Sequence, residues 1–375
     1  MNQSIPFIDL AAQRRRISRE IDEAMAKVLA HGIFIHGPEV AAFEAQLAAH
    51  CGARFAVSCG NGTDAIQLVL MARKIGPGDA VIVPDFTFTA TAEAVALVGA
   101  TPVFVDVHAA DFNIDAGKLD ETLAATKAKG LKPRAVIAVD LFGLAADYDR
   151  LNAFCDANDL LLIADAAQSF GAALGGRKVG TLAPVTTTSF FPAKPLGCYG
   201  DGGGIVTDDA ELVAVLKSLR MHGQGADKYD NVRIGVNSRL DTLQAAILMC
   251  KLDILDDETE KRQAVAARYT EALRNRVVTP TVRPDARSVW AQYTIRISDG
   301  RRNNVAARLK AAGVPTAIYY PTPLHRQSAY RHYHLGTDVA ASERLSHETL
   351  SLPMHPYLDQ DTQARIVSEL VKALA

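Results

Sequence analysis

Between residues 55 and 165 the chain repeats one unit. A short apolar run, bounded by Gly, Pro or Asp, is followed by a stretch with helical spacing. The apolar runs at 55–59, 80–84, 102–107, 135–140 and 160–165 are too short for helices and β-prone in composition, the pattern of strands buried within a sheet. Helical segments are expected at 64–72, 91–98, 116–128 and 147–157. Alternation of this kind predicts a mainly parallel sheet with helices on both faces. Runs at 186–191 and 203–207 extend the same sheet, and a long helix is expected over 241–258, continuing toward Leu273. Beyond about residue 260 the rhythm changes: 290–297 alternates like a strand, 303–312 has helical spacing, and the last residues form a terminal helix. The expectation is a large α/β domain over 1–255 and a smaller C-terminal α+β domain over 256–375. A chain of 375 residues, 49% hydrophobic, can fill two such cores.

Charge and motif content narrow the function. The formal net charge is −2 with 22% charged residues, which gives no electrostatic footprint for nucleic acid or an anionic membrane. No run approaches the roughly 20 apolar residues that span a bilayer, and the first 16 residues lack the apolar centre of a secretory signal. The basic run Arg14-Arg15-Arg16 shares helical spacing with Ile17, Ile21 and Met25, the mark of a solvated helix face. Five cysteines without CxxC spacing argue against a zinc ribbon or a disulfide scaffold and fit a reducing cytoplasm. HExxH, the Walker phosphate loop and the GxSxG elbow are absent, and no metal site is expected.

Three segments carry chemistry. Ser58-Cys59-Gly60-Asn61-Gly62-Thr63-Asp64-Ala65 joins a strand to a helix; its glycines admit close approach, and helix-start amides favour a phosphate. Taken alone it is equally an ordinary turn capped by Thr63. Leu161-Leu162-Ile163-Ala164-Asp165-Ala166-Ala167-Gln168 ends an apolar strand on a carboxylate. Ligands of open α/β sheets bind at the carboxyl ends of strands, and a carboxylate there can pair with a protonated pyridine nitrogen. The plain alternative is a helix cap. Ser189-Phe190-Phe191-Pro192-Ala193-Lys194-Pro195-Leu196-Gly197 sets a lysine in an apolar, glycine-bounded segment. Burial lowers lysine basicity, and a neutral amine forms a Schiff base, while Pro195 disfavours helix at Lys194. An anion cradle, a pyridinium partner and an imine-forming lysine, in that order, are the three parts of a pyridoxal 5′-phosphate (PLP) site.

With these residues in view, the sequence resembles the DegT-type nucleotide-sugar aminotransferases, a branch of the fold-type-I PLP enzymes. The likeness runs from Ile5-Pro6-Phe7-Ile8-Asp9-Leu10 through Gly37-Pro38-Glu39-Val40, the three segments above and Gly235-Val236-Asn237-Ser238-Arg239-Leu240-Asp241. It ends at Tyr320-Pro321-Thr322-Pro323-Leu324-His325 and Leu350-Ser351-Leu352-Pro353-Met354-His355-Pro356. It implies that Lys194 joins the cofactor and that Asp165 holds the pyridine nitrogen. It sets Gln168 near the phenolic oxygen and Phe88 stacked on the ring. Gly62, Thr63 and Ser189 would bind the phosphate, with Asn237 reaching the phosphate of a neighbouring subunit in a homodimer. Arg239, Tyr320 and His325 are the implied substrate contacts, and Tyr319 stands where family members often carry His. The stretches Lys194-Pro195-Leu196-Gly197-Cys198-Tyr199-Gly200-Asp201-Gly202-Gly203 and Ser288-Val289-Trp290-Ala291-Gln292-Tyr293-Thr294 are similar to those of enzymes that aminate UDP-2-acetamido-2-deoxy-3-oxo-glucuronate for surface-polysaccharide synthesis. So is Met354-His355-Pro356-Tyr357-Leu358. Glutamate is the implied donor and Arg239 the partner of the sugar carboxylate. Three alternatives stand beside this. One is amination of another 3-keto or 4-keto UDP, dTDP or GDP sugar. Another is a sugar dehydratase, against which Lys194 argues because related dehydratases carry histidine there. The last is a cofactor-binding regulator without turnover.

Overall fold

The computed structural model describes residues 5–227 and 229–375. A seven-stranded sheet organises most of the chain, built from β1 (Phe55–Cys59), β2 (Asp79–Pro84), β3 (Thr101–Val105), β4 (Lys132–Val139), β5 (Leu161–Asp165), β6 (Val185–Ser189) and β7 (Gly203–Thr207). The spatial order is β1-β7-β6-β5-β4-β2-β3. The neighbours from β3 through β6 pair in parallel, whereas β7 runs antiparallel to both β1 and β6. Every residue of β2 and β7 is buried, as expected for strands covered on both faces. Two clusters of buried side chains form those covers. One packs Ile66, Leu68 and Val69 of the helix Gly62–Ala72 against Val81, Val83 and Ile163. The other packs Leu119, Tyr148 and Leu151 against Ile82, Val136 and Leu162.

The long helix expected from 241 is two helices, Thr242–Leu252 and Leu255–Leu273. The first buries Ala245, Leu248 and Leu252 with Phe43 and Phe190 against the sheet domain. The second buries Val265, Ala266, Tyr269 and Leu273 in a separate core with Tyr293, Ile295, Leu350, Leu352 and Ile366. One straight helix cannot serve both cores, and the break at Asp253-Ile254 redirects it. The strand expected from 290 begins at Tyr293, because Trp290 adopts a left-handed backbone (φ +50°) and its amide donates to Ser288 Oγ at 3.0 Å. The strand Tyr293–Arg296 pairs antiparallel with Thr349–Leu352. The N-terminal helical pattern breaks at Ile17 into Leu10–Arg16 and Ser18–His31; Arg14 and Arg16 lie at its surface in ion pairs with Asp22 and Asp257. Between the two C-terminal strands the chain returns to the sheet. Tyr319, Tyr320 and Leu345 pack on Phe86 and Phe142, and Leu324 joins the core around β1 and β2.

Candidate active site

In this topology the ends of β1, β2, β4, β5 and β6 and the start of β7 open on one edge of the sheet. The register sets Cys59 and Ser189 beside Gly203, and Asp165 beside Val139 and Thr187. The carboxyl edge of an open α/β sheet is where such folds bind ligands, and the three sequence segments meet there.

The first supplies an anion cradle. Asn61, not Thr63, caps the helix Gly62–Ala72, its Oδ1 accepting from the Asp64 amide at 2.8 Å. The amides of Gly62 and Thr63, in the first turn, have no intrahelical acceptor and point out of the helix start, where anions are favoured. Gly62 faces Ser189 across the cradle. A Cβ at position 62 would lie 2.7 Å from Ser189 Cβ, so any side chain there would fill the space a phosphate needs. Ser189 Oγ accepts from the Phe191 amide at 3.3 Å, leaving its own proton free to donate.

The second segment ends β5 on Asp165, buried at 6% exposure. Its Oδ1 accepts from the Ala167 amide and its Oδ2 from Thr91 Oγ1, both at 3.1 Å. Burial pushes its carboxyl up; the Ala167 amide, the Lys194 ammonium and the Thr91 hydroxyl oppose that shift. Gln168 follows, its Oε1 held by the Phe142 amide at 2.8 Å and its Nε2 donating to Tyr320 Oη at 3.3 Å.

The third segment presents Lys194 on a turn, its amide donating to the Phe191 carbonyl at 2.9 Å. The side chain is half-buried, and burial lowers its basicity while Asp165 opposes that. The two groups influence each other, yet among the described residues they form no ion pair and the Lys194 amine has no hydrogen-bond partner. A gap bounded by a free amine, a buried carboxylate and a phosphate cradle fits a phosphorylated pyridine aldehyde. Phe88, 54% exposed, stands at its side with its ring 6.3 Å from that of Tyr320.

The remaining expected residues lie around this centre. Asn237 is exposed and Arg239 half-buried. Between them Ser238 Oγ donates to Asp64 at 2.6 Å and accepts from the Gly60 amide at 2.9 Å, which ties their loop to the cradle. His325 is buried with both ring nitrogens engaged, Nδ1 by Asp85 at 2.7 Å and Nε2 by Glu343 at 3.1 Å. It anchors the segment that carries Tyr320 to the strand end that carries Phe88. Three further residues at the site are not among those singled out in the sequence. Thr91 belongs to a threonine-rich run after β2, a usable signal. Ser238 sits between the two residues that were singled out. Phe142 acts through its backbone amide, which no side-chain pattern can reveal.

Among the described residues no group of His, Cys, Asp and Glu is arranged to hold a metal, and no helix is long and apolar enough to cross a membrane. The model of the DegT/DnrJ/EryC1/StrS aminotransferase family matches residues 15–371. A UDP-2-acetamido-2-deoxy-3-oxo-D-glucuronate aminotransferase of Pseudomonas aeruginosa is 48% identical over 95% of this chain and 96% of its own length. A crystal structure of a DegT DnrJ EryC1 StrS aminotransferase from Brucella abortus matches at a TM-score of 0.96 and 51% identity, covering 98% of this chain and 99% of that one. Streptomyces venezuelae DesV, solved in complex with a ketimine intermediate, matches at 0.94 and 37% identity over 100% of this chain and 99% of its own. The chain belongs to the DegT/DnrJ/EryC1/StrS aminotransferase family and is a PLP-dependent aminotransferase.

Proposed function

We propose that the protein moves an amino group from L-glutamate to the keto carbon of a nucleotide-linked sugar, UDP-2-acetamido-2-deoxy-3-oxo-glucuronate, in the cytoplasm for surface-polysaccharide synthesis. One observation carries the chemistry: the Lys194 amine, low in basicity through burial and within the electrostatic influence of Asp165, has no hydrogen-bond partner among the described residues. The name borne by the 48%-identical relative supports the substrate.

The residues divide the labour. The Gly62 and Thr63 amides and the Ser189 hydroxyl would hold the phosphate, and Phe88 would cover one face of the ring. Asp165, oriented by Thr91 and Ala167, would keep a proton on the ring nitrogen. When bound, the cofactor supplies an aldehyde that joins amines and a ring that takes up electrons. Lys194 Nζ would accept a proton from the carbon that bears the amino group and return it in the second half of the cycle. Arg239 would receive the sugar carboxylate as a bidentate clamp, with Tyr320 and His325 bordering the sugar.

We infer a homodimer in which Asn237 completes the phosphate site of the partner subunit. Ile33, Phe34 and Ile35 and, on the loop before Asn237, Val232 and Ile234 are exposed. The Thr242 amide donates to the Phe34 carbonyl and Ile35 bridges Asp241, so these stretches are joined near that loop. Exposed apolar surface on this scale suits an interface. The free state of all five cysteines supports a reducing compartment.

The test is incubation with glutamate and a panel of keto sugars, reading 2-oxoglutarate and the mass of the amino sugar. The proposal expects the 3-keto UDP-sugar acid to be turned over best, and Arg239→Gln to raise its KM by at least about tenfold with little effect on an uncharged 3-keto UDP sugar. Preferred turnover of a 4-keto sugar, or no turnover of any, overturns it.

A further inference from the structure

Asp140 directly follows β4, the strand next to that of Asp165, its amide donating to the Asp165 carbonyl at 3.1 Å. Its carboxylate is fully buried and takes no part in the chemistry described above. Three donors converge on it. Oδ1 accepts from the Ala146 amide at 2.8 Å and from Tyr148 Oη at 2.9 Å, and Oδ2 accepts from Ser169 Oγ at 2.7 Å. A buried carboxylate so fully engaged costs much to disturb, because each abandoned donor would be left without water.

The two sides of this grip bear on one residue. Ser169 adjoins Gln168, so Oδ2 fixes the backbone turn from which the glutamine projects. Oδ1 closes the loop that runs from Asp140 to Ala146, and within that loop lies the Phe142 amide that holds Gln168 Oε1 at 2.8 Å. Phe142 sits at φ +58°, a conformation that a bulky residue keeps only when its surroundings impose it. The surroundings do so. Asn113 accepts from the Leu141 amide at 2.9 Å and donates to the Leu144 carbonyl at 3.0 Å. Gly143 (φ +99°) leaves no room for a Cβ, which would lie 2.8 Å from the Ala291 nitrogen. With Oε1 committed to Phe142, the amide presents its N–H end to the cleft, where one hydrogen already meets Tyr320.

We propose that Asp140 is a positioning residue for the aminotransferase: by gripping both the Phe142 loop and the Ser169 turn, it fixes the Gln168 side-chain amide with its donors toward the ring oxygen of the cofactor. The inference rests on the PLP reading and on Gln168 meeting that oxygen. A donor there withdraws charge from the oxygen and weakens its hold on the proton of the neighbouring Lys194 nitrogen. Losing the donor raises the pH midpoint of the bound cofactor's visible band, by about one unit for a hydrogen bond to a charged group.

The experiment is a spectral pH titration of PLP-loaded wild type, Gln168→Ala, Asp140→Asn and the double variant, with a melting temperature for each. The expected result is a rise of about one unit for Q168A, a rise in the same direction for D140N, and no further rise when D140N is added to Q168A. Three results overturn the proposal: no shift in Q168A, no shift in D140N, or an equal D140N shift in both backgrounds, which would mean action through Asp165 or through folding alone. If D140N does not fold, Ser169→Ala removes one side of the grip and is expected to shift the midpoint the same way by a smaller amount; an unshifted S169A then overturns the proposal. A wild type with no visible band after loading sinks the cofactor reading itself, a failure distinct from these.

Discussion

Two lysines bear on one loop of this fold, and burial lowers the basicity of both. Lys251, on the helix Thr242–Leu252, is 2% exposed and is pushed down to about 8. Its ammonium donates to the Gly197 carbonyl at 2.6 Å and lies 4.1 Å from the centre of the Tyr199 ring. It is a strut: it closes the loop that carries Lys194 and spends its donor and charge in doing so. Lys194, on that loop, has neither an acceptor nor an ion-pair partner among the described residues. Lowered basicity is common to the two, so it cannot identify the reactive one. The difference lies in whether the structure has already used the amine.

The sharpest way to break this comparison is to exchange the losses. Lys194→Met should reduce amino transfer by about 10⁴-fold or more, because one group serves as both covalent partner and proton carrier, while the melting temperature stays near that of wild type. Lys251→Met should do the reverse: transfer persists, and unfolding loses about 2 kcal/mol for a buried charged donor and its acceptor, read by denaturant titration. Similar activity losses in both variants would erase the distinction.

Asp165→Asn comes next. It keeps the shape and the Thr91 contact but removes the charge that a protonated ring nitrogen requires. A loss of about 10²- to 10³-fold in turnover is expected, the cost of breaking a buried pair, read at saturating PLP. Gly62→Ala acts on the cradle alone. The new methyl meets Ser189, and the dissociation constant for PLP should rise by about tenfold or more, measured by fluorescence on the apoprotein.

The smallest effect tests the partnered class. Burial by itself would push the His325 imidazole down, but the hydrogen bonds and charges of Asp85 and Glu343 outweigh it and raise it above its ordinary 6.5. A group raised on folding stabilises fully below its unfolded value and loses that contribution as pH climbs through the folded one. His325→Gln should therefore lower the melting temperature most at pH 6 and below, with the gap to wild type narrowing toward alkaline pH. A gap independent of pH would show that the charge of His325 contributes nothing.

Much of the fold was legible because buried parallel strands write themselves as short apolar runs. Asp79–Pro84 and Leu161–Asp165 fall within one residue of the runs. The break at Asp253-Ile254 was not legible, since helical spacing continues through it and only the presence of two cores demands a turn. At the site, Lys194 and Asp165 stood out as a polar residue in an apolar run and a carboxylate at a strand end. The cap at Asn61 cannot be told from one at Thr63 in the sequence, because either side chain can cap and the sequence does not say where the helix begins. Phe142 and Asp140 were invisible for another reason: an amide has no side-chain signature, and a buried aspartate after a strand looks like a cap until its three donors are seen.

The chemistry depends on one unengaged amine, that of Lys194. Borohydride reduction of the purified protein with PLP, followed by peptide mapping, tests it most directly. A pyridoxyl group on the peptide that contains Lys194, and none on the peptide that contains Lys251, is the predicted result. A modified Lys251, or an unmodified Lys194 in protein that still transfers amino groups, would contradict it.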